Sequence, residues 1–254
     1  MSRNIKLLIL LAVVMLTALL VYQLRFSHAD ALWKIVSQQC IPYMEQEHHP
    51  QPCVEVDTQA GFVVFKDKNG PLQYLLMPTA KISGIESPQL LTASSPNYFF
   101  DAWQARHFMA DKYGAPIDDA DISLAINSKY GRSQDQLHIH ISCLKPAVKI
   151  ALAAQEADFH QQWQPLPGGL LGHDYLARRT TAAELQQSGA FRLLADEVPG
   201  AKDEMGRYGL AMTALPDGQF LLLASKASLT KLHRASVEEL QDHSCQLLPQ
   251  PPIH

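Results

Sequence analysis

Apolar and polar positions recur along this chain with different periods, and the changes of period mark its elements. An apolar run without charge comes first, from Leu7 to Leu24, with Arg3 and Lys6 before it and Arg25 after it. Leu32 to Glu47 then reads as a helix running into a polar, Pro-bearing loop. Gly61-Phe-Val-Val-Phe65 and Gln73-Tyr-Leu-Leu-Met77 flank Asp67-Lys-Asn-Gly70. Two apolar runs around an Asn-Gly turn predict a β-hairpin, which Pro78 ends. Asn97 is placed to cap a helix over Tyr98 to Tyr113, with Phe99, Trp103, Ala110 and Tyr113 on one core-facing stripe and Gly114 closing it. A short strand over Asp121 to Ile126 leads to the sharpest pattern in the chain. Around residues 137–143 the period is two: Leu137, Ile139, Ile141 and Cys143 share one face of a strand, and His138, His140 and Ser142 share the other.

The second half is less regular. Val148, Leu152, Phe159 and Trp163 predict a helix within Ala147 to Trp163, and Leu166-Pro-Gly-Gly-Leu-Leu-Gly-His173 is a Gly-rich loop. Thr181-x-x-Glu184 and Ser236-x-x-Glu239 have the form of capping boxes. Tyr208 to Thr213 and Gln219 to Leu223 flank Leu215-Pro-Asp-Gly218, a second hairpin signal. Hairpin-and-helix order thus repeats, which suggests a degenerate internal duplication with halves near 29–146 and 147–254. The second copy lacks a His-x-His strand. These elements predict an α+β fold, a mainly antiparallel sheet with packed helices.

Charge and cysteines then place the chain. Its 254 residues carry a formal charge of −4 and no basic tract, so nucleic acid is not an expected partner. The run Leu7 to Leu24 approaches the roughly 20 residues that span a bilayer. Ser27-His28-Ala29 offers a competing signal-peptide cleavage site, but Arg25 and the length of the run favour an uncleaved anchor. Residues 1–28 are therefore expected to form an N-terminal transmembrane helix, with 29–254 as the catalytic domain. Positive charge at the short end keeps that end cytoplasmic. The expected location is a bacterial inner membrane, single-pass, with the domain in the periplasm. Four cysteines, Cys40, Cys53, Cys143 and Cys245, all follow the anchor. Cys40 with Cys53 is the natural local pair, leaving Cys143 with Cys245.

Paired imidazoles on one face can hold zinc, but a metal usually wants a third ligand and Ser142 is a poor one. No metal and no cofactor are expected. Asn127 precedes the strand, and Gly131-Arg-Ser-Gln134 forms a tight, donor-rich turn before it. Amide and hydroxyl donors beside a neutral imidazole suit a phosphate.

This stretch resembles the signature of the histidine-triad superfamily of nucleotide hydrolases and transferases. Asn127, Gln134, His138 and His140 match its spacing, and Leu75-Leu-Met-Pro-Thr-Ala-Lys81 resembles its upstream strand-Pro-basic segment. The third triad position is Ser142 instead of His; the transferase branch of the superfamily carries Gln there. The apolar N-terminus, His-Ile-His-Ile-Ser-Cys, Leu-Pro-Gly-Gly-Leu with His173, and Arg-Ala-Ser-x-Glu-Glu together resemble the CDP-diacylglycerol pyrophosphatase family over nearly the whole chain. That resemblance implies hydrolysis of CDP-diacylglycerol by water to CMP and phosphatidate, in phospholipid metabolism. It implies His140 as a nucleophile forming a cytidylyl-histidine, with His138 orienting it and Ser142 near the leaving oxygen. Asn127, Gln134 and Lys81 are the phosphate and ribose candidates, with a solvated lysine as the plain alternative for Lys81. His173 reads as structural or surface rather than catalytic, and Arg178-Arg179 as either headgroup contacts or solvated. CMP transfer to another acceptor, or a non-catalytic liponucleotide-binding module, are the rival functions. A monomer or a homodimer fits either, and membrane contact is expected through the N-terminal helix.

Overall fold

A computed structural model describes residue 5, residues 9–17 and residues 29–249. Among the described residues, ten strands form one antiparallel sheet: β1 (Cys53–Asp57), β2 (Phe62–Lys66), β3 (Tyr74–Pro78), β4 (Ile122–Ile126), β5 (Ile139–Leu144), β6 (Gln164–Pro165), β7 (Leu176–Thr180), β8 (Tyr208–Ala214), β9 (Phe220–Lys226) and β10 (Gln241–Asp242). Their order is β1-β2-β3-β5-β4-β8-β9-β7-β6, and β10 pairs with β5 off this path. Both expected hairpins are present, as β2–β3 and β8–β9. The order reads the same outward from the β4–β8 seam: β4-β5-β3-β2 on one side, β8-β9-β7-β6 on the other.

The helix expected over 98–113 is two, α3 (Tyr98–Gln104) and α4 (His107–Tyr113), after α1 (Ala31–Ile35) and α2 (Ile41–Glu47). A π-helical turn, Val36–Cys40, joins α1 to α2, so the helical reading of Leu32 to Glu47 holds. Asn97 caps α3 as expected, its Oδ1 accepting from Phe100 N. After β5, α5 covers only Pro146–Ala153, and a 3-10 turn at Glu156–Asp158 ends the stretch expected to stay helical to Trp163. Thr181 caps α6 (Ala182–Ser188), and α7 (Ala190–Glu197) follows. The second capping box does not form: Ser236 makes no cap, and Val237–Leu240 is a 3-10 turn.

Strand alternation divides the apolar residues between the two sheet faces. One face carries a continuous core, with Leu76, Leu124, Ile139, Ile141, Met212 and Leu222 under α3, α4 and α7. Phe99 and Trp103 lie in it, as core rather than as a stacking platform. The opposite face carries two separate apolar patches. Val63, Leu75 and Met77 pack with Val36 and Cys40 at one end. Ala125, Ala211, Leu221 and Leu223 pack with Val237 and Leu240 at the other. His140 lies between them, paired across the sheet with Leu75 on one side and Ala125 on the other.

Both expected disulfides are formed, Cys40–Cys53 and Cys143–Cys245, and they suit an oxidising compartment such as the periplasm. The expected transmembrane helix is corrected. Among the described residues no helix is long and apolar enough to cross a membrane. The described part of the apolar run, residues 9–17, is helical. Residues 18–28, with most of the candidate cleavage site, lie outside the described residues. The single-pass inner-membrane location rested on that helix and falls with it.

Candidate active site

β5 brings His140 and Ser142 to the gap between the two apolar patches, and His138 enters just before it. The His138 and His140 rings meet edge to face with centroids 4.9 Å apart. His138 Nδ1 donates to the Gln136 carbonyl at 2.7 Å, since a carbonyl can only accept. This fixes the ring and leaves Nε2 as its second nitrogen. Burial is the chief reason that His138 titrates below the ordinary histidine value. It also drives His140 down to about 4, helped by neighbouring His138 and opposed by Glu238. Both rings are thus neutral near pH 7.

His140 is held from two sides. Gln73 Nε2 lies 3.2 Å from its Nδ1 and donates to Asp67 Oδ2 at 2.8 Å. Its Nε2 is buried with no hydrogen-bond partner among the described residues. Glu238 Oε2 stands 3.4 Å from that nitrogen, near enough for its charge to act but not aligned for a hydrogen bond. Burial of Glu238 opposes its ionisation. The hydrogen bond from His243, the nearby His140 and the amide of Asn127 outweigh burial and hold this carboxyl down at about 2.

Asn127 closes the site. It sits just beyond β4, donates through Nδ2 to Glu238 Oε2 at 3.0 Å, and accepts from Glu238 N at 3.0 Å and from Ser236 Oγ at 3.3 Å. Its amide therefore holds the Glu238 segment. Ser142 is fully buried, and its Oγ lies 3.4 Å from His243 Nδ1. His243 Nε2 reaches Glu238 Oε1 at 3.1 Å.

The remaining sequence candidates lie apart from this cluster. Gln134 Oε1 accepts from Leu32 N at 3.2 Å and ties the turn to α1. The buried glutamine is its neighbour Gln136, whose Nε2 donates to the carbonyls of Pro78 and Ala80. Lys81 is half exposed and pairs with Asp30 at 3.0 Å. The turn donors are also engaged: Tyr130 N and Gly131 N donate to Ser128 Oγ, and Arg132 forms a two-pronged pair with Glu86 at 2.7 Å. His173 binds Glu239 at 2.8 Å. Arg178 is neither solvated nor free, being buried between Glu184 and Glu197.

Gln73, Glu238 and His243 were missed from sequence. Gln73 read as a strand residue, Glu238 as part of a capping box, and His243 stood alone in an irregular C-terminal stretch. Two signals were available: the Arg-Ala-Ser-x-Glu-Glu stretch, which contains Glu238, and Cys143–Cys245, which predicts that residues near 243 lie beside Ser142.

Comparison with known proteins gives the family of the chain. A family model described as CDP-diacylglycerol pyrophosphatase matches residues 27–249. A protein of Yersinia pestis named CDP-diacylglycerol pyrophosphatase is 74% identical over 257 aligned residues, covering the whole of both chains. The chain belongs to the CDP-diacylglycerol pyrophosphatase family.

Proposed function

We propose that the pyrophosphatase activity of this family runs here through a cytidylyl-histidine at His140, releasing CMP and phosphatidate in phospholipid metabolism. One observation carries this reading above the others. His140 Nε2 is buried, belongs to a ring that burial keeps neutral, and has no hydrogen-bond partner among the described residues. A neutral imidazole is a competent nucleophile at phosphorus, whereas an imidazolium is not.

In the resting tautomer His140 Nδ1 accepts from the Gln73 amide nitrogen, which leaves the ring proton on Nε2. Attack through Nε2 therefore requires that proton to move to Nδ1, and the Gln73 amide to turn there its Oε1, which is unpaired among the described residues. As the P–N bond forms, the ring becomes cationic, and the ionised Glu238 beside it stabilises that charge. The P–O bond to the bridging oxygen breaks and phosphatidate departs with its electrons. Water then attacks the same phosphorus, the P–N bond breaks, and CMP leaves. His138 buttresses the ring edge to face, and Asn127 acts by holding Glu238. Gln134 and Lys81 have a supporting place at the rim rather than at the reacting atoms. The palindromic strand order supports a duplicated architecture with halves near 29–146 and 147–254, the β4–β8 seam separating β1–β5 from β6–β9 while β10 crosses back to pair with β5.

The test is chemical trapping. Rapid acid-free quenching with CDP-diacylglycerol labelled in the cytidine should leave CMP mass on the peptide containing His140. His140→Ala should lose at least about 10⁴-fold in kcat. Full turnover in that variant, with no adduct in the unaltered chain, would exclude the covalent route. Partition of the label into added alcohols would instead mark a CMP transferase.

A further inference from the structure

On the reading of His140 as nucleophile, Ser142, two residues further along the same face of β5, is the side chain set towards the leaving oxygen, and a serine hydroxyl is too weak an acid to protonate it unaided. We propose that His243 supplies the missing proton through Ser142, so that the two side chains form one acid. This rests on the reading of His140 as nucleophile.

The placement of His243 is built from independent constraints. Asp242 of β10 pairs with Cys143 of β5, which brings the next residue, His243, alongside Ser142. The Cys143–Cys245 disulfide ties the same two segments one residue beyond Ser142 and two beyond His243. Asp242 fixes the following turn by accepting from Ser244 N at 3.0 Å and Gln246 N at 2.7 Å. Behind it, Gly70 has φ +68° and packs so closely that a Cβ there would stand 2.2 Å from the His243 carbonyl oxygen. No side chain larger than hydrogen fits without moving His243.

The ring of His243 has the two contacts a relay needs. Nε2 donates to Glu238 Oε1 at 3.1 Å, and Nδ1 faces Ser142 Oγ at 3.4 Å. About a third of its side chain is exposed, so it exchanges protons with water, which the fully buried Ser142 cannot do. In the first step the cationic His243 passes its Nδ1 proton to Ser142 Oγ. The Ser142 hydroxyl proton goes to the bridging oxygen as the P–O bond breaks, and the bond electrons stay on that oxygen. In the second step the attacking water loses a proton to Ser142 Oγ, whose own proton returns to His243. Glu238 faces both rings, His140 through Oε2 and His243 through Oε1, and so serves the two steps with one carboxylate.

A leaving group that needs no proton separates this role from a structural one. For His243→Gln, turnover of CDP-diacylglycerol should fall about 10²-fold, the usual scale of general acid catalysis. With the 4-nitrophenyl ester of CMP, whose phenolate departs unprotonated, the loss should shrink below about tenfold. Ser142→Ala should show the same selectivity, and the double variant should be no worse than the weaker single one, as for groups acting as a unit. Equal losses on both substrates, or multiplying losses in the double variant, would overturn the relay. His140→Ala provides the control: it should abolish both reactions, and its failure to do so would sink the nucleophile assignment rather than the relay.

Discussion

β5 and β9 occupy matching places on either side of the seam, and they carry opposite chemistry on the same face. The register runs straight across: His140 pairs with Ala125, Ala125 with Ala211, and Ala211 with Leu223. One row further, Ser142, Ser123, Thr213 and Leu221 line up in the same way. Where β5 presents His140 and Ser142, β9 presents Leu223 and Leu221, all of them buried. One segment covers both. Val237 and Leu240 are fully buried against Leu221 and Leu223, while Glu238 between them turns to His140 and Glu239 to His173 and Tyr175. The apolar half thus anchors the segment that delivers a carboxylate to the polar half. Division of labour explains how a face with two buried histidines stays ordered: the packing that holds it is next door.

The largest effect that would break this comparison is on stability. Leu223→Ala should cost about 3 kcal/mol, the middle of the range for deleting a fully buried leucine. Turnover per folded molecule should fall only a few-fold, because no reacting atom is touched. Urea denaturation paired with active-site titration measures both quantities. An unchanged midpoint, or an activity loss without a stability loss, would show that β9 does not anchor the covering segment.

A second effect sharpens the contrast through pH. His140 is pushed from 6.5 down to about 4, chiefly by burial. Its folded form therefore resists the proton that the unfolded chain accepts. The stability it contributes is complete above pH 6.5 and is lost as pH falls from there towards 4. At pH 5 the loss is about 2 kcal/mol from this group, and His138 adds to it in the same direction. Glu238, held at about 2, begins to act only below the ordinary carboxylate value and leaves this window clear. Denaturation at pH 7 and pH 5 should show the difference, and His140→Gln should flatten it by the stated amount. An unflattened slope would assign the acid sensitivity elsewhere, with His233 of the second half, also lowered by burial, as the next group to replace.

How much of this was legible in sequence follows from the range of the forces involved. The His138, His140, Ser142 face was legible because period-two alternation is local, and both hairpins were legible because Asn-Gly and Asp-Gly turns are local too. The disulfide pairs could be read because four cysteines leave few choices. Glu238 and His243 were not legible. They reach His140 and Ser142 from about a hundred residues away, through a strand of two residues that has no periodicity to detect. The second capping box failed for a related reason: Ser236 spends its hydroxyl on Asn127, a tertiary contact that overrides a local preference. The anchor expected over residues 1–28 is not borne out, since among the described residues no helix is long and apolar enough to cross a membrane.

The smallest expected effect tests the edge of the site. Lys81 pairs with Asp30 at 3.0 Å, and both side chains are about half exposed. Exposed pairs of this kind contribute between about 0 and 1 kcal/mol. Lys81→Ala should therefore shift stability by less than about 0.5 kcal/mol and turnover by less than about twofold, since its ammonium group is turned to Asp30. The same segment nevertheless borders the site, because Gln136 reaches the carbonyls of Pro78 and Ala80 from one residue before Leu137. A nucleotide bound at His140 would draw Lys81 away from Asp30 only if the substrate extended along β3. Steady-state kinetics of Lys81→Ala and Asp30→Ala decides the matter. A KM rise above about tenfold in the first and a KM fall in the second would move Lys81 into the substrate site, which the ion pair would then be masking. Unchanged constants in both would confine the chemistry to β5 and the C-terminal segment that covers it.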